Sequence, residues 1–192
     1  MILYLHGFRS SPASFKARVV ASKMADLGRA GELVCPQLPA SPKEAMALAV
    51  ALVGDTPAGE LAIVGSSLGG FYATWLAERF GCRAVLLNPA IEPLKDLDQH
   101  VGVTTAWHSD EPFEFKREYI DELRELAVEQ ITRPERYFLI AATGDEVLDY
   151  RDMVRHYAGA RQVVIDGSNH AITEFADYVD DVLAFCLPEA AQ

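Results

Sequence analysis

The chain has 192 residues, half of them apolar and 23% charged, and so has the make-up of an ordinary globule rather than of a disordered chain, a collagen or a coiled coil. Its length fits one domain, with enough buried surface to fold without a disulfide or metal staple. Seventeen basic against 28 acidic residues leave a net charge of −11, which repels phosphate backbones and anionic headgroups. Neither nucleic-acid binding nor membrane insertion is expected.

Residues 2–5 form an apolar run that meets His6 and Gly7 at once. A secretory leader needs a basic start and a longer apolar core, so the run reads as a first strand and the protein as cytoplasmic. Phe15, Val19, Val20, Met24 and Leu27 then repeat at helical spacing, with Gly28 or Gly31 placed to end that helix in a left-handed cap. Further short apolar runs follow at 32–35, 61–64, 84–87, 136–141 and 162–165. Such runs suit strands buried on both faces. Leu68, Tyr72, Trp75 and Leu76 make a second helical stripe closed by Gly81. Asp149 opens a helix holding His156, and Ile172, Phe175, Val179, Val182 and Cys186 make a last stripe stopped by Pro188, beyond which the tail is expected to fray. Strands alternating with helices predict an α/β fold: a mostly parallel sheet of about six strands with helices on both faces. Residues 92–134 break the alternation. They show no convincing strand, hold a helix near 116–128, and read as a small cap inserted in a single domain spanning 1–192.

The chemistry centres on Gly65-Ser66-Ser67-Leu68-Gly69, a G-x-S-x-G between a strand and a helix. A turn this sharp lifts the central hydroxyl above the sheet and needs small flanking residues. Ser67 is therefore the candidate nucleophile. A serine needs a base, and the base needs a carboxylate to hold its tautomer. Among His6, His100, His108, His156 and His170, only His170 lies in the loop after the final strand. The acid should follow the preceding strand, where Gly144 presents Asp145. Glu146 is expected to point away from Asp145, and Asp149 is better suited to capping the next helix, though it stays the alternative acid. The backbone N–H groups of Leu68 and Phe8 are the candidate oxyanion donors. His6 reads as a buried histidine bonded to backbone. Cys35, Cys82 and Cys186 form no metal or redox motif and read as buried free thiols of a reducing compartment.

Taken together, residues 3–17 (LYLHGFRSSPASFKA), 35–39 (CPQLP), 64–80 (VGSSLGGFYATWLAERF), 87–90 (LNPA), 143–151 (TGDEVLDYR) and 169–173 (NHAIT) resemble the YqiA-type esterases, small bacterial α/β hydrolases. Ser168 stands where that pattern has glycine, and residues 95–133 match poorly. The resemblance places nucleophile, acid and base on Ser67, Asp145 and His170. It implies a serine esterase acting on short to medium acyl esters, with acyl-CoA thioesters as a second class of small-molecule substrate. Side chains and backbone donors complete that chemistry, so no cofactor or metal is expected. The competing functions are a non-catalytic binding module on the same fold, and a serine hydrolase that cleaves amides. Phe113, Phe115 and Trp107 are expected to crowd the approach to Ser67 and to set acyl preference.

Overall fold

The computed structural model describes residues 1–97, 101–105 and 112–187. Its strands are β1 (Ile2–Leu5), β2 (Leu33–Val34), β3 (Ala62–Ser66), β4 (Arg83–Leu87), β5 (Gly102–Thr105), β6 (Pro112–Phe115), β7 (Tyr137–Ala142) and β8 (Arg161–Ile165). Its helices are α1 (Phe15–Asp26), α2 (Pro42–Val53), α3 (Leu68–Phe80), α4 (Pro93–Leu97), α5 (Glu118–Glu125), α6 (Tyr150–His156) and α7 (Val179–Cys186). Six strands make one parallel sheet in the order β2-β1-β3-β4-β7-β8, as the apolar runs predict.

Alternate residues along each central strand feed two cores, as a strand's two-residue period requires. Leu3, Leu5, Ile63, Leu86 and Leu139 face α2, α3 and α6; Ile2, Tyr4, Val64, Val85 and Phe138 face α1 and α7. The chain steps from β1 to β2 on one side and returns to β3 on the other, so the order reverses around β1. Ligands of open parallel sheets bind at the carboxyl ends of strands beside such a switch.

Gly28 and Gly81, both at φ +70°, end α1 and α3 as expected. Three elements differ from the sequence reading. Residues 92–134 do contain strands: β5 and β6 pair as an antiparallel hairpin, too short and too polar for an apolar-run criterion to find. The helix expected over 116–128 is shorter, as α5, but keeps its apolar face: Leu123 and Leu126 are buried while Ala127 is exposed. The last stripe is not one helix, because Ile172 takes φ +50° and a 3₁₀ turn at Phe175–Asp177 precedes α7. α2 is an addition. Its signal is the capping box Ser41-Pro42-Lys43-Glu44, in which Ser41 Oγ accepts the Glu44 N–H at 3.2 Å. That hydroxyl also donates to Glu122 of α5 at 2.7 Å and so ties the inserted segment to the body. The segment belongs to the first core, through Phe115, Leu123 and Leu126.

No described helix is long and apolar enough to cross a membrane. Cys82 and Cys186 are buried and Cys35 half-buried, all unpaired, with burial pushing the thiols up to about 12, 12 and 11. His100, His108, Trp107 and the tail from Pro188 lie outside the described residues.

Candidate active site

Ser67 follows β3 and caps α3 with φ +55° and ψ −120°, a conformation that a residue with a side chain adopts only when its surroundings impose it. Here they do. Its N–H donates to Leu87 O at 3.0 Å, and its carbonyl accepts from Gly70 N at 2.8 Å and Ala90 N at 3.0 Å. The elbow also needs backbone to touch backbone: a Cβ at Gly69 would sit 2.0 Å from the carbonyl oxygen of Leu5. The hydroxyl-bearing residue is thereby set at the sheet's carboxyl edge and the positive end of α3. Leu68 is the first residue of that helix, and Gly7 approaches so closely that a Cβ there would lie 3.2 Å from Ser67 Cβ. Phe8, the other candidate oxyanion donor, lines the same cavity as Ser67 and Leu68.

Asp145 and His170 come together from the loops after β7 and β8. The imidazole Nδ1–H donates to Asp145 Oδ2 at 2.8 Å, which leaves Nε2 with the lone pair a general base uses. The Asp145 side chain has no exposed surface, and its Oδ1 accepts the N–H groups of Val147 (2.8 Å) and Leu148 (2.9 Å). Gly144 lets the two loops meet, since a Cβ there would lie 2.7 Å from Ser168 O. The alternative acid, Asp149, caps α6 by accepting the Arg151 N–H at 2.9 Å. Glu146 has a partner of its own: its Oε2 accepts the backbone N–H of His170 at 3.0 Å, a contact open to it because the loops after β7 and β8 run side by side.

The other described histidines, His6 and His156, are placed elsewhere. His6 is buried beneath the loop after β1, its Nδ1 3.0 Å from Gly7 O and its Nε2 accepting the Leu38 N–H at 3.0 Å. Desolvation lowers its proton affinity, which suits a neutral ring that accepts at one nitrogen. His156 closes α6 rather than sitting inside a longer helix.

Two polar side chains around His170 escape sequence reasoning. Lys16 of α1 is buried, and its Nζ donates to the carbonyls of His170 (3.2 Å) and Ala171 (2.9 Å). Asn88, wholly buried after β4, donates to the carbonyls of Asn169 and His170, both at 3.1 Å, and accepts the Ala142 N–H at 2.8 Å. A signal existed for each. Lys16 lines up with Val20 and Met24 on the buried stripe of α1, and Asn88 closes a strand ahead of a proline at φ +44°.

Ser67, Leu68, Phe8 and His170 open onto a cavity of about 600 Å³ whose apolar wall is Ala90, Pro93, Leu97, Val147 and Leu148. Phe113 and Phe115 do not line it, contrary to expectation. They stack edge-on against Phe8, each with ring centroids 5.2 Å away, and Phe115 is 1% exposed. The hairpin's aromatic face thus buries itself against the loop after β1 instead of facing the cavity. A larger, charged cavity of about 990 Å³ shares Val147 and Leu148 and includes Asp149, Asp152 and His156.

The model described as "Uncharacterised protein family (UPF0227)" matches residues 1–187. Among solved structures, a protein from Agrobacterium vitis S4 described as a hydrolase superposes with TM-score 0.75 at 18% identity, covering 96% of this chain and 87% of that one. Mouse alpha/beta hydrolase domain-containing protein 10 gives 0.70 at 16%, covering 95% and 88%. Est1E of Butyrivibrio proteoclasticus, with ferulic acid bound, gives 0.70 at 16%, covering 95% and 85%. These likenesses show the α/β-hydrolase fold.

Proposed function

The chain belongs to the family UPF0227, the YqiA family, and we propose that it is a serine esterase cleaving small carboxylic esters through an acyl-enzyme. The observation that carries the reading is the 2.8 Å Asp145–His170 pair, whose imidazole lines the same cavity as a strained serine at a helix start. Ser67 attacks the carbonyl carbon, and His170 Nε2 takes the hydroxyl proton and returns it to the departing alcohol or thiol. Asp145, hydrogen-bonded and withdrawn from water, holds the ring and stabilises the imidazolium. The N–H groups of Leu68 and Phe8 receive the oxyanion, and water then releases the acid by the same route. The apolar wall of a cavity of about 600 Å³ accommodates a short to medium acyl chain, with acyl-CoA thioesters the second substrate class. Within 92–134 it is α4 that covers this site, contributing Pro93 and Leu97.

A fluorophosphonate probe together with a panel of nitrophenyl esters and acyl-CoAs tests this. Wild-type protein is expected to label at Ser67 and to turn over esters. Ser67→Ala should do neither while melting within about 1 °C of wild type, because a half-buried hydroxyl on the cavity wall leaves no hole in the core when it is lost. Activity above a few per cent in Ser67→Ala would remove Ser67 as nucleophile. Absence of labelling in the wild type would favour a binding module. Labelling with turnover of amides only would move the protein to the amide-cleaving class.

A further inference from the structure

We propose that Lys16 is a positioning residue of this site: from α1 its ammonium clamps the loop that carries His170 and places a buried positive charge near Asp145. The proposal rests on the serine-hydrolase reading and adds to it a residue outside the triad.

The loop is held at the carbonyls of residues 169, 170 and 171 and at the His170 N–H. Asn88 takes the carbonyls of Asn169 and His170, Lys16 takes those of His170 and Ala171, and Glu146 takes the His170 N–H. Three elements therefore converge on the backbone of one residue, His170: α1, the end of β4 and the loop after β7. Small displacements of a base from its nucleophile cost rate steeply, so such a clamp acts on turnover more than on substrate binding.

Lysine is an expensive choice for holding carbonyls inside a protein. Burial pushes this ammonium down to about 8, and the Asp145 carboxylate is what opposes that shift. A charge kept at the expense of burial, where a neutral donor could make the same bonds, points to a use for the charge itself. The other charged groups around the loop are committed elsewhere or lie across the cavity. Glu146 is bound to the His170 N–H, Glu174 to Ser168 Oγ and Asp166 to Thr143 Oγ1, while Arg9 lines the cavity from the loop after β1. His6, beneath that loop, is held neutral by burial. Lys16 is thus the cation that faces the Asp145–His170 pair from α1.

The test is the second-order rate of fluorophosphonate labelling against pH on the full chain, with kcat and KM on one nitrophenyl ester beside it. Lys16→Met is expected to lower the labelling rate and kcat about tenfold or more at neutral pH, with KM within about twofold. The acid limb of its rate profile moves to higher pH, because a cation has left the neighbourhood of the base. Lys16→Gln, which keeps one donor without the charge, shows the same displacement of the limb with a smaller loss of rate. If Lys16→Met gives no cooperative melt, Lys16→Gln decides by the same readouts. A wild type that labels at Ser67, with lysine variants of unchanged rate and unchanged limb, makes Lys16 mere packing and overturns the proposal alone. A wild type that never labels overturns the serine reading, and the clamp falls with it.

Discussion

Three donors converge on Asp145, two from backbone and one from the imidazole, and this arrangement separates it from the neighbouring carboxylates. In Asp145→Asn the amide oxygen can still accept, but its NH₂ cannot stabilise an imidazolium and favours the wrong ring tautomer. Turnover should fall by roughly 10³–10⁴ with KM little changed. Asp149→Asn should change kcat less than about twofold, since asparagine caps a helix as well as aspartate. Steady-state kinetics on the two variants decide the assignment, and a crippled Asp149→Asn beside an active Asp145→Asn would reverse it. Glu146→Gln is a subtler case. It keeps an acceptor for the His170 N–H and should lower kcat only a few-fold, whereas Glu146→Ala frees that N–H and should cost about tenfold.

At the scale of elements, the segment between β4 and β7 does two separate jobs. α4 sends Pro93 and Leu97 into the cavity wall, while the β5–β6 hairpin lays Phe113 and Phe115 against Phe8. Substitutions in the two places should therefore part company. Leu97→Phe narrows the cavity and is expected to shift the optimum on a nitrophenyl ester series by about two carbons toward shorter chains, with the melting point held. Phe115→Ala empties a fully buried site and should cost about 3–5 kcal/mol in a urea melt. Its kcat falls because the loop bearing the proposed oxyanion donor loses its brace, yet its chain-length optimum stays put. An optimum that moves in Phe115→Ala and not in Leu97→Phe would exchange the two roles.

For the whole molecule, burial of titratable groups sets a pH window of stability. Desolvation lowers the proton affinity of His6 and His156 from the ordinary 6.5. The unfolded chain then binds more protons than the folded one as pH drops below 6.5, and stability falls. The buried thiols, raised from the ordinary 9.0 to about 11 for Cys35 and about 12 for Cys82 and Cys186, act at the other end. Above pH 9 the unfolded chain releases protons that the folded one keeps, so stability falls there too. Lys16 opposes this, since its lowering from 10.5 to about 8 makes stability rise across that interval, by at most about 3 kcal/mol. One lysine against three thiols leaves the fall in place. The melting temperature is expected to be flat from about pH 7 to 9 and to decline on both sides, and Lys16→Met should decline earlier and more steeply on the alkaline side. A profile that keeps rising past pH 10 would contradict these burials.

Much of the architecture was legible from local pattern. Apolar runs such as 61–64 and 136–141 suit strands buried on both faces, Gly28 and Gly81 end helices because their backbone can turn left-handed, and Gly65-Ser66-Ser67-Leu68-Gly69 announces a sharp strand-to-helix turn. The placement of Asp145 and His170 after successive strands followed from chain order, since parallel strands deliver their following loops to one edge. The capping box at Ser41 was legible as well but is outweighed by a search for apolar stripes. What tertiary structure alone decided lies wherever a polar group's partner is distant in the chain. Lys16 looks like a solvated lysine until α1 packs it under residues 170 and 171, Glu146 looks like a surface acid until two loops run side by side, and Phe115 changes from pocket wall to brace because Phe8 waits beneath it. Periodicity reports which face of an element is buried; which groups meet there depends on how the sheet's crossovers bring sequence-distant loops together.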